Sequence, residues 1–299
     1  MRFNPKARLD RGRVGDAGRG RGGGGGGSRM PAGLPVGGGI GGVVVLVIVF
    51  VAIQVFGGSD GAVDDSTLEG SERYAGCEFG SDANESADCV RVGVENSLHD
   101  FWSDELGSDY RPIDRLVTFS GSVETGCGAA TSSVGPFYCP GDERIYLDTS
   151  FFDEVLERQL GGPDGGFVEA YVLAHEYGHH LQNVLGTMGR VRTQQGAQSD
   201  AVRLELQADC YAGMWTRAAT TTQDADGLTL ISDLTQEDID LALAAATAIG
   251  DDRIQERTQG QVTEETWTHG SAKSRAKWFR TGLEEGTLVA CDTFSAPRV

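Results

Sequence analysis

Hydrophobic positions along the chain follow two regimes, one continuous and one periodic. The continuous one is VVVLVIVFVAIQVF (Val43 to Phe56), the centre of an uncharged run from Met30 to Ser59. Counted from Gly37 to Phe56 it holds 20 residues, about 30 Å as a helix and so the thickness of a bilayer core. It predicts a single transmembrane helix over 37–56. A cleaved signal peptide and a buried core helix are the competing readings, because the strongest apolar stretch has only 14 residues. The periodic regime begins at Cys77. Val90, Val94, Leu98, Phe101 and Trp102 predict an amphipathic helix over Cys89 to Glu105. Short strands are predicted at Leu116 to Phe119 and at Arg144 to Leu147, where polar and apolar residues alternate. Helical spacing then recurs near Thr149 to Leu160, Phe167 to Leu185, Ser199 to Ala219, Thr235 to Ile249 and Ser271 to Glu285. A few strands followed by many helices predict an α+β body in which helix is the majority.

Charge changes this picture at the N-terminus. Met1 to Arg29 carries eight basic residues against Asp10 and Asp16, leaving 17 basic and 42 acidic residues beyond Gly57, a net charge of −25. Arginines before the apolar run and Asp60, Asp64 and Asp65 after it predict a single-pass protein of the cell membrane, its tail cytoplasmic and its body extracytoplasmic. The domain order expected is therefore a disordered Arg/Gly-rich tail (1–36), the membrane anchor (37–56), an acidic linker (57–76) and a folded domain (77–299). A body this acidic repels phosphate backbones, which argues against nucleic acid as a partner. All six cysteines lie after the apolar run. That suits an oxidising compartment and disulfides better than a thiolate zinc site, which would show close CxxC spacing. Short loops suggest Cys77 with Cys89 and Cys127 with Cys139, which leaves Cys210 to pair with Cys291.

Candidate chemistry concentrates in LAHEYGHHLQ (Leu173 to Gln182), which holds three of the five histidines. Positions four apart share a helix face, so His175 and His179 can each offer a ring nitrogen to one metal ion. Glu176 lies on the neighbouring face, where it can take a proton from water held by that metal. This is the HExxH arrangement of zinc hydrolases. Gly178 inside the helix costs up to about 1 kcal/mol relative to alanine, which is understandable if another backbone or a substrate approaches there. His180 points elsewhere, as a supporting or packed residue. Catalytic zinc needs a third ligand and an open fourth position. In RLELQADCYAGMW (Arg203 to Trp215), Glu205 and Asp209 are again four apart among apolar neighbours. Glu205 is the candidate ligand, and Asp209 the candidate partner for the N–H of a ligand histidine.

These segments resemble the neutral zinc metallopeptidase family, bacterial single-pass membrane proteins with an HExxH…E zinc motif. The resemblance is carried by CGAATSSVGPFYCPGDERIYLD (Cys127 to Asp148), AHEYGHHLQ (Ala174 to Gln182), ELQADCYAGMW (Glu205 to Trp215), THGSAKSRAKWFRTGLEEG (Thr268 to Gly286) and CDTF (Cys291 to Phe294). It implies a zincin-like body, a Zn2+ cofactor, a protein or peptide substrate, and zinc ligation by His175, His179 and Glu205. The HExxH and ExxxD pair is also similar to the membrane zinc endopeptidases that trim prenylated proteins, which implies the same ligand roles. His269, or Tyr177, could donate a hydrogen bond to the oxyanion of a tetrahedral intermediate. Three functions follow: an active zinc peptidase, a non-enzymatic zinc scaffold of the envelope, or a zinc hydrolase of another amide such as a cell-wall peptide. Glu176 argues against the scaffold, since a structural site needs no base.

Overall fold

A four-stranded sheet backed by helices positions everything described below. The computed structural model describes residues 1–19, Leu68, 72–163 and 165–299. In chain order the elements are β1 (Arg2–Phe3), β2 (Val14–Arg19), α1 (Gly80–Ala83), α2 (Ala87–Leu106), β3 (Leu116–Ser120), β4 (Ser122–Thr125), β5 (Gly128–Thr131), β6 (Phe137–Cys139) and β7 (Arg144–Asp148). A π-helical segment (Phe152–Glu157) follows, then α3 (Gly166–Val184), α4 (Asp200–Ala218), β8 (Ile231–Asp233), α5 (Gln236–Ala248), α6 (Asp251–Gln259) and α7 (Ala272–Glu285). The sheet order is β2–β3–β7–β6, with β2, β3 and β7 parallel and β6 antiparallel at the edge. β4 and β5 form a hairpin, and β1 pairs with β8. The expected helix-rich α+β architecture is what the described residues form.

Local chemistry sets the helix boundaries. The Ser199 hydroxyl accepts the Val202 N–H at the start of α4, and the Ser271 hydroxyl accepts the Ser274 N–H at the start of α7. α3 is followed by Gly186, whose φ of 74° lets the chain leave the helix. Packing brings backbones together. A Cβ on Gly178 of α3 would stand 3.0 Å from Ala208 Cα of α4, so the expected close approach is by backbone. A Cβ on Gly282 of α7 would stand 1.9 Å from the Cys210 carbonyl oxygen, so α4 and α7 meet without side chains between them. Trp102, Tyr171, Tyr177, Trp215 and Phe279 fill the core around these crossings. The three disulfides pair as expected, and Cys210–Cys291 ties α4 to the C-terminal segment across 81 residues.

Two expectations about the N-terminal region are corrected. The transmembrane helix placed before the body is not supported: among the described residues no helix is long and apolar enough to cross a membrane. The segment 37–56 itself lies outside the described residues, as does most of the linker. The opposed placement of tail and body also fails. Residues 1–19, expected to be a disordered cytoplasmic tail, belong to the same packed body. β2 runs parallel to β3, with Val14 opposite Leu116. Phe3, Ala7, Leu9 and Val14 are buried in the main core. Two asparagines bracket this segment like adjoining strands: the Asn84 amide bonds both N and O of Phe3, and the Asn96 amide bonds both N and O of Asp10. The tail is part of the folded body, and with no membrane-crossing helix among the described residues the single-pass location with the N-terminus inside is not supported.

Candidate metal centre

α3 carries two polar stripes that follow from its 3.6-residue turn. His175, His179 and Gln182 stand at i, i+4 and i+7 and face α4. Glu176, His180 and Asn183 repeat the spacing one residue later and face β6. On the first stripe, His175 Nε2 lies 3.2 Å and His179 Nε2 lies 3.5 Å from the carboxylate of Glu205 on α4. Ligand atoms of these three residues all fall within 4.8 Å of one another.

The opposite ring nitrogens fix which atoms converge. His175 Nδ1 is 2.9 Å from Asp209 Oδ1, an acceptor, so Nδ1 carries the proton there. His179 Nδ1 is 2.8 Å from Gln182 Oε1. The orientation of that amide is set because Gln182 Nε2 donates to the Leu204 carbonyl at 2.7 Å, leaving Oε1 to accept. Both Nε2 atoms are thus the ones turned to the shared position. This donor set fits zinc: two imidazole nitrogens and one carboxylate, with both rings held by hydrogen bonds from behind.

Behind Asp209 sits a residue that the sequence reading did not single out. Arg275 of α7 donates Nε to Asp209 Oδ2 at 2.9 Å and Nη2 to Oδ1 at 3.0 Å. Oδ1 also accepts the Tyr171 hydroxyl at 2.6 Å. Asp209 is fully buried and Arg275 is 2% exposed. Burial alone would raise the Asp209 carboxyl, but Arg275 and His175 overcome it and bring it down to about 2. Burial disfavours charge on His175 too, yet Asp209 outweighs it and lifts the ring to about 9 in the metal-free protein. Glu205 is held well below the usual carboxylate range, against the penalty of burial, by His179 and His269. The signals for Gln182 and Arg275 were present in the sequence, one three residues past the HExxH motif and one in THGSAKSRAKW, but polar residues on helices read as solvated.

Glu176 is 8% exposed, and its Oε2 accepts the Tyr138 N–H of β6 at 2.9 Å. Burial raises its carboxyl, with His179 and His175 pulling the other way, the direction that suits a base working near neutral pH. His180 is fully buried on the same stripe. Its Nε2 lies 2.6 Å from the Arg111 carbonyl and its Nδ1 lies 3.2 Å from the Tyr138 hydroxyl. Burial lowers this ring to about 4, so it is neutral. Tyr177 is placed away from the metal position: its hydroxyl bonds that of Tyr110 inside the core. His269, in the loop before α7, keeps Nδ1 on Thr268 Oγ1 at 2.8 Å and near Asp251 Oδ1 at 3.4 Å. Burial disfavours its charge, but Glu205 and Asp251 raise it, which places His269 within electrostatic reach of the triad.

Comparison with known proteins agrees with this geometry. The model of the family described as "Putative neutral zinc metallopeptidase" matches residues 4–294. The chain belongs to this family. The match begins within the N-terminal segment that is packed into the fold. Among curated relatives, the uncharacterized protein Rv2575 of Mycobacterium tuberculosis is 52% identical over 222 residues, covering 74% of this chain and 75% of the relative. The uncharacterized protein YpfJ of Escherichia coli K12 is 36% identical over 275 residues, covering 89% of this chain and 88% of the relative. No solved structure matches. Membership of this metallopeptidase family supports zinc as the ion for the His175, His179 and Glu205 cluster.

Proposed function

We propose that this chain is a zinc peptidase that hydrolyses peptide bonds of proteins or peptides, with Glu176 as general base. The observation that carries the reading is a buried carboxylate with a raised pKa next to a convergent His-His-Glu cluster, on the helix that supplies both histidines. Zinc held by His175, His179 and Glu205 would supply Lewis acidity, polarising the scissile carbonyl and lowering the pKa of water to about 7. Glu176 takes the proton of the attacking water and returns it to the departing amine. Asp209, backed by Arg275, keeps the His175 ring turned so that Nε2 faces the ligand position, and Gln182 does the same for His179. His269 is the candidate donor to the carbonyl oxygen as it gains negative charge, with Asp251 holding its ring.

The test separates the roles of two chemically identical side chains. Purified protein should cleave a peptide library, lose activity to a chelator and regain it with zinc. Glu176→Gln should retain zinc while turnover falls by about 100-fold to 10,000-fold. Glu205→Gln should lose zinc and activity together. Chelator-insensitive hydrolysis, or a Glu176→Gln variant that has lost its zinc, would sink this assignment.

A further inference from the structure

The Glu176 stripe has a use for the third histidine of LAHEYGHHLQ. Tyr138 lies on the edge strand β6, where its backbone N–H turns away from β7 and is donated to Glu176 Oε2. Its phenol reaches back to the same face of α3 one and two turns further along. There the Asn183 amide donates to the hydroxyl oxygen at 2.9 Å, and His180 Nδ1 stands 3.2 Å away. The direction of each bond is fixed from outside. A carbonyl can only accept, so His180 Nε2 carries the proton given to Arg111 O, His180 Nδ1 is the acceptor, and Tyr138 donates its hydroxyl proton to it. Tyr138 is therefore held to α3 at both ends, its amide at position 176 and its phenol at positions 180 and 183.

We propose that His180 is a positioning residue for the general base: by fixing the Tyr138 side chain it fixes the strand amide that orients the Glu176 carboxylate. This rests on the peptidase reading for its kinetic consequence but not for its geometry. His180 and Glu176 each bond Tyr138, one at its phenol and the other at its amide, so the strand residue is the part that links them.

Asparagine and glutamine at position 180 separate this role from a merely structural one. Asparagine places an acceptor near the position of Nδ1 and so keeps the Tyr138 bond, whereas glutamine places a donor near Nε2 and keeps only the Arg111 bond. His180→Gln and Tyr138→Phe should each lower kcat by about 10-fold to 100-fold, with KM and zinc content little changed. His180→Asn should recover most of that loss. In the metal-free protein, followed by NMR, the amide of residue 138 should exchange with solvent about 10-fold faster or more in His180→Gln and Tyr138→Phe, as it should in Glu176→Ala. His180→Asn should restore its protection. Equal defects in the asparagine and glutamine variants, or unchanged protection of amide 138 in both His180→Gln and Tyr138→Phe, would overturn the proposal. Should the protein cleave no peptide at all, the amide exchange still decides the positioning, and the peptidase reading fails separately.

Discussion

Replacing Arg275 by methionine tests the idea that the metal centre is built on a buried ion pair. The substitution keeps most of the side-chain volume and removes both guanidinium bonds, 2.9 and 3.0 Å, from a carboxylate with no exposure to water. Asp209 would keep only the Tyr171 hydroxyl and the His175 ring. Removing one partner of a buried pair costs about 3–5 kcal/mol, and urea unfolding of the metal-free, disulfide-intact protein should show a loss of that size. Zinc affinity, read by competition with a chromophoric chelator, should fall by about 10-fold to 100-fold, because the carboxylate that orients His175 is no longer held or kept ionised. Asp209→Asn alone leaves Arg275 buried without its counter-charge and should also be costly. The double variant Arg275→Met with Asp209→Asn removes both charges, so it should be more stable than the sum of the single losses predicts, by about 1–3 kcal/mol. Additive losses, or an Arg275→Met variant with stability changed by less than about 0.5 kcal/mol and unaltered zinc affinity, would refute the reasoning.

Two further outcomes follow from other parts of the fold. Reducing Cys210–Cys291 through a paired serine substitution opens a loop of 81 residues and should cost about 4.5 kcal/mol on chain-entropy grounds; an unfolding midpoint unchanged by the substitution would show that the C-terminal segment is held by its other contacts alone. Glu95 is buried with Oε1 lacking a hydrogen-bond partner, and burial, opposed by Arg13, pushes its carboxyl up to about 8. Between about pH 4.5 and pH 8 the folded state keeps a proton that the unfolded state releases, so stability should fall as pH rises through that window, by up to about 1.4 kcal/mol per pH unit. Glu95→Gln should remove this component and flatten the pH dependence of thermal unfolding; a slope equal to that of the unsubstituted protein would show that Glu95 is not the group responsible.

The long helices were legible because their apolar spacing is regular and their ends are marked. α3 and α4 differ from their predicted bounds by a residue at each end, and both pairs four residues apart within a helix, His175 with His179 and Glu205 with Asp209, are where helical spacing puts them. Of the short elements, β3 and β7 were placed to within a residue, whereas the others were not legible. β6 is three residues long and gains its identity from pairing with β7, and β5 is built from Gly-Ala-Ala-Thr, which carries little strand preference. β2 was hidden by the arginines and glycines around it; tertiary pairing with β3 and the asparagine brackets override that composition. α6, Asp251–Gln259, is so polar that it offers no apolar stripe, yet Asp251 accepts the backbone N–H groups of Thr268, His269 and Gly270 and so shapes the loop that holds His269. Within the site the ligand candidates were visible through spacing. Their supports, Gln182, Arg275 and the Tyr138 amide, were not, because the first two are identified only by what they face in space and the third is a main-chain group with no residue type to betray it.

The paired stripes of α3 impose something like a reading frame on this helix. Residues 175, 179 and 182 look at α4, and residues 176, 180 and 183 look at β6, about 100° apart around the axis. Inserting or deleting one residue within α3 would turn everything beyond it by that angle. A deletion ahead of His179 would swing His180 into the ligand position: the motif would still contain a pair of histidines at workable spacing, but β6 would lose its anchor. The two adjacent histidines are therefore not interchangeable spares, and change along α3 is confined to substitution in place, with length held constant from the first ligand to Asn183.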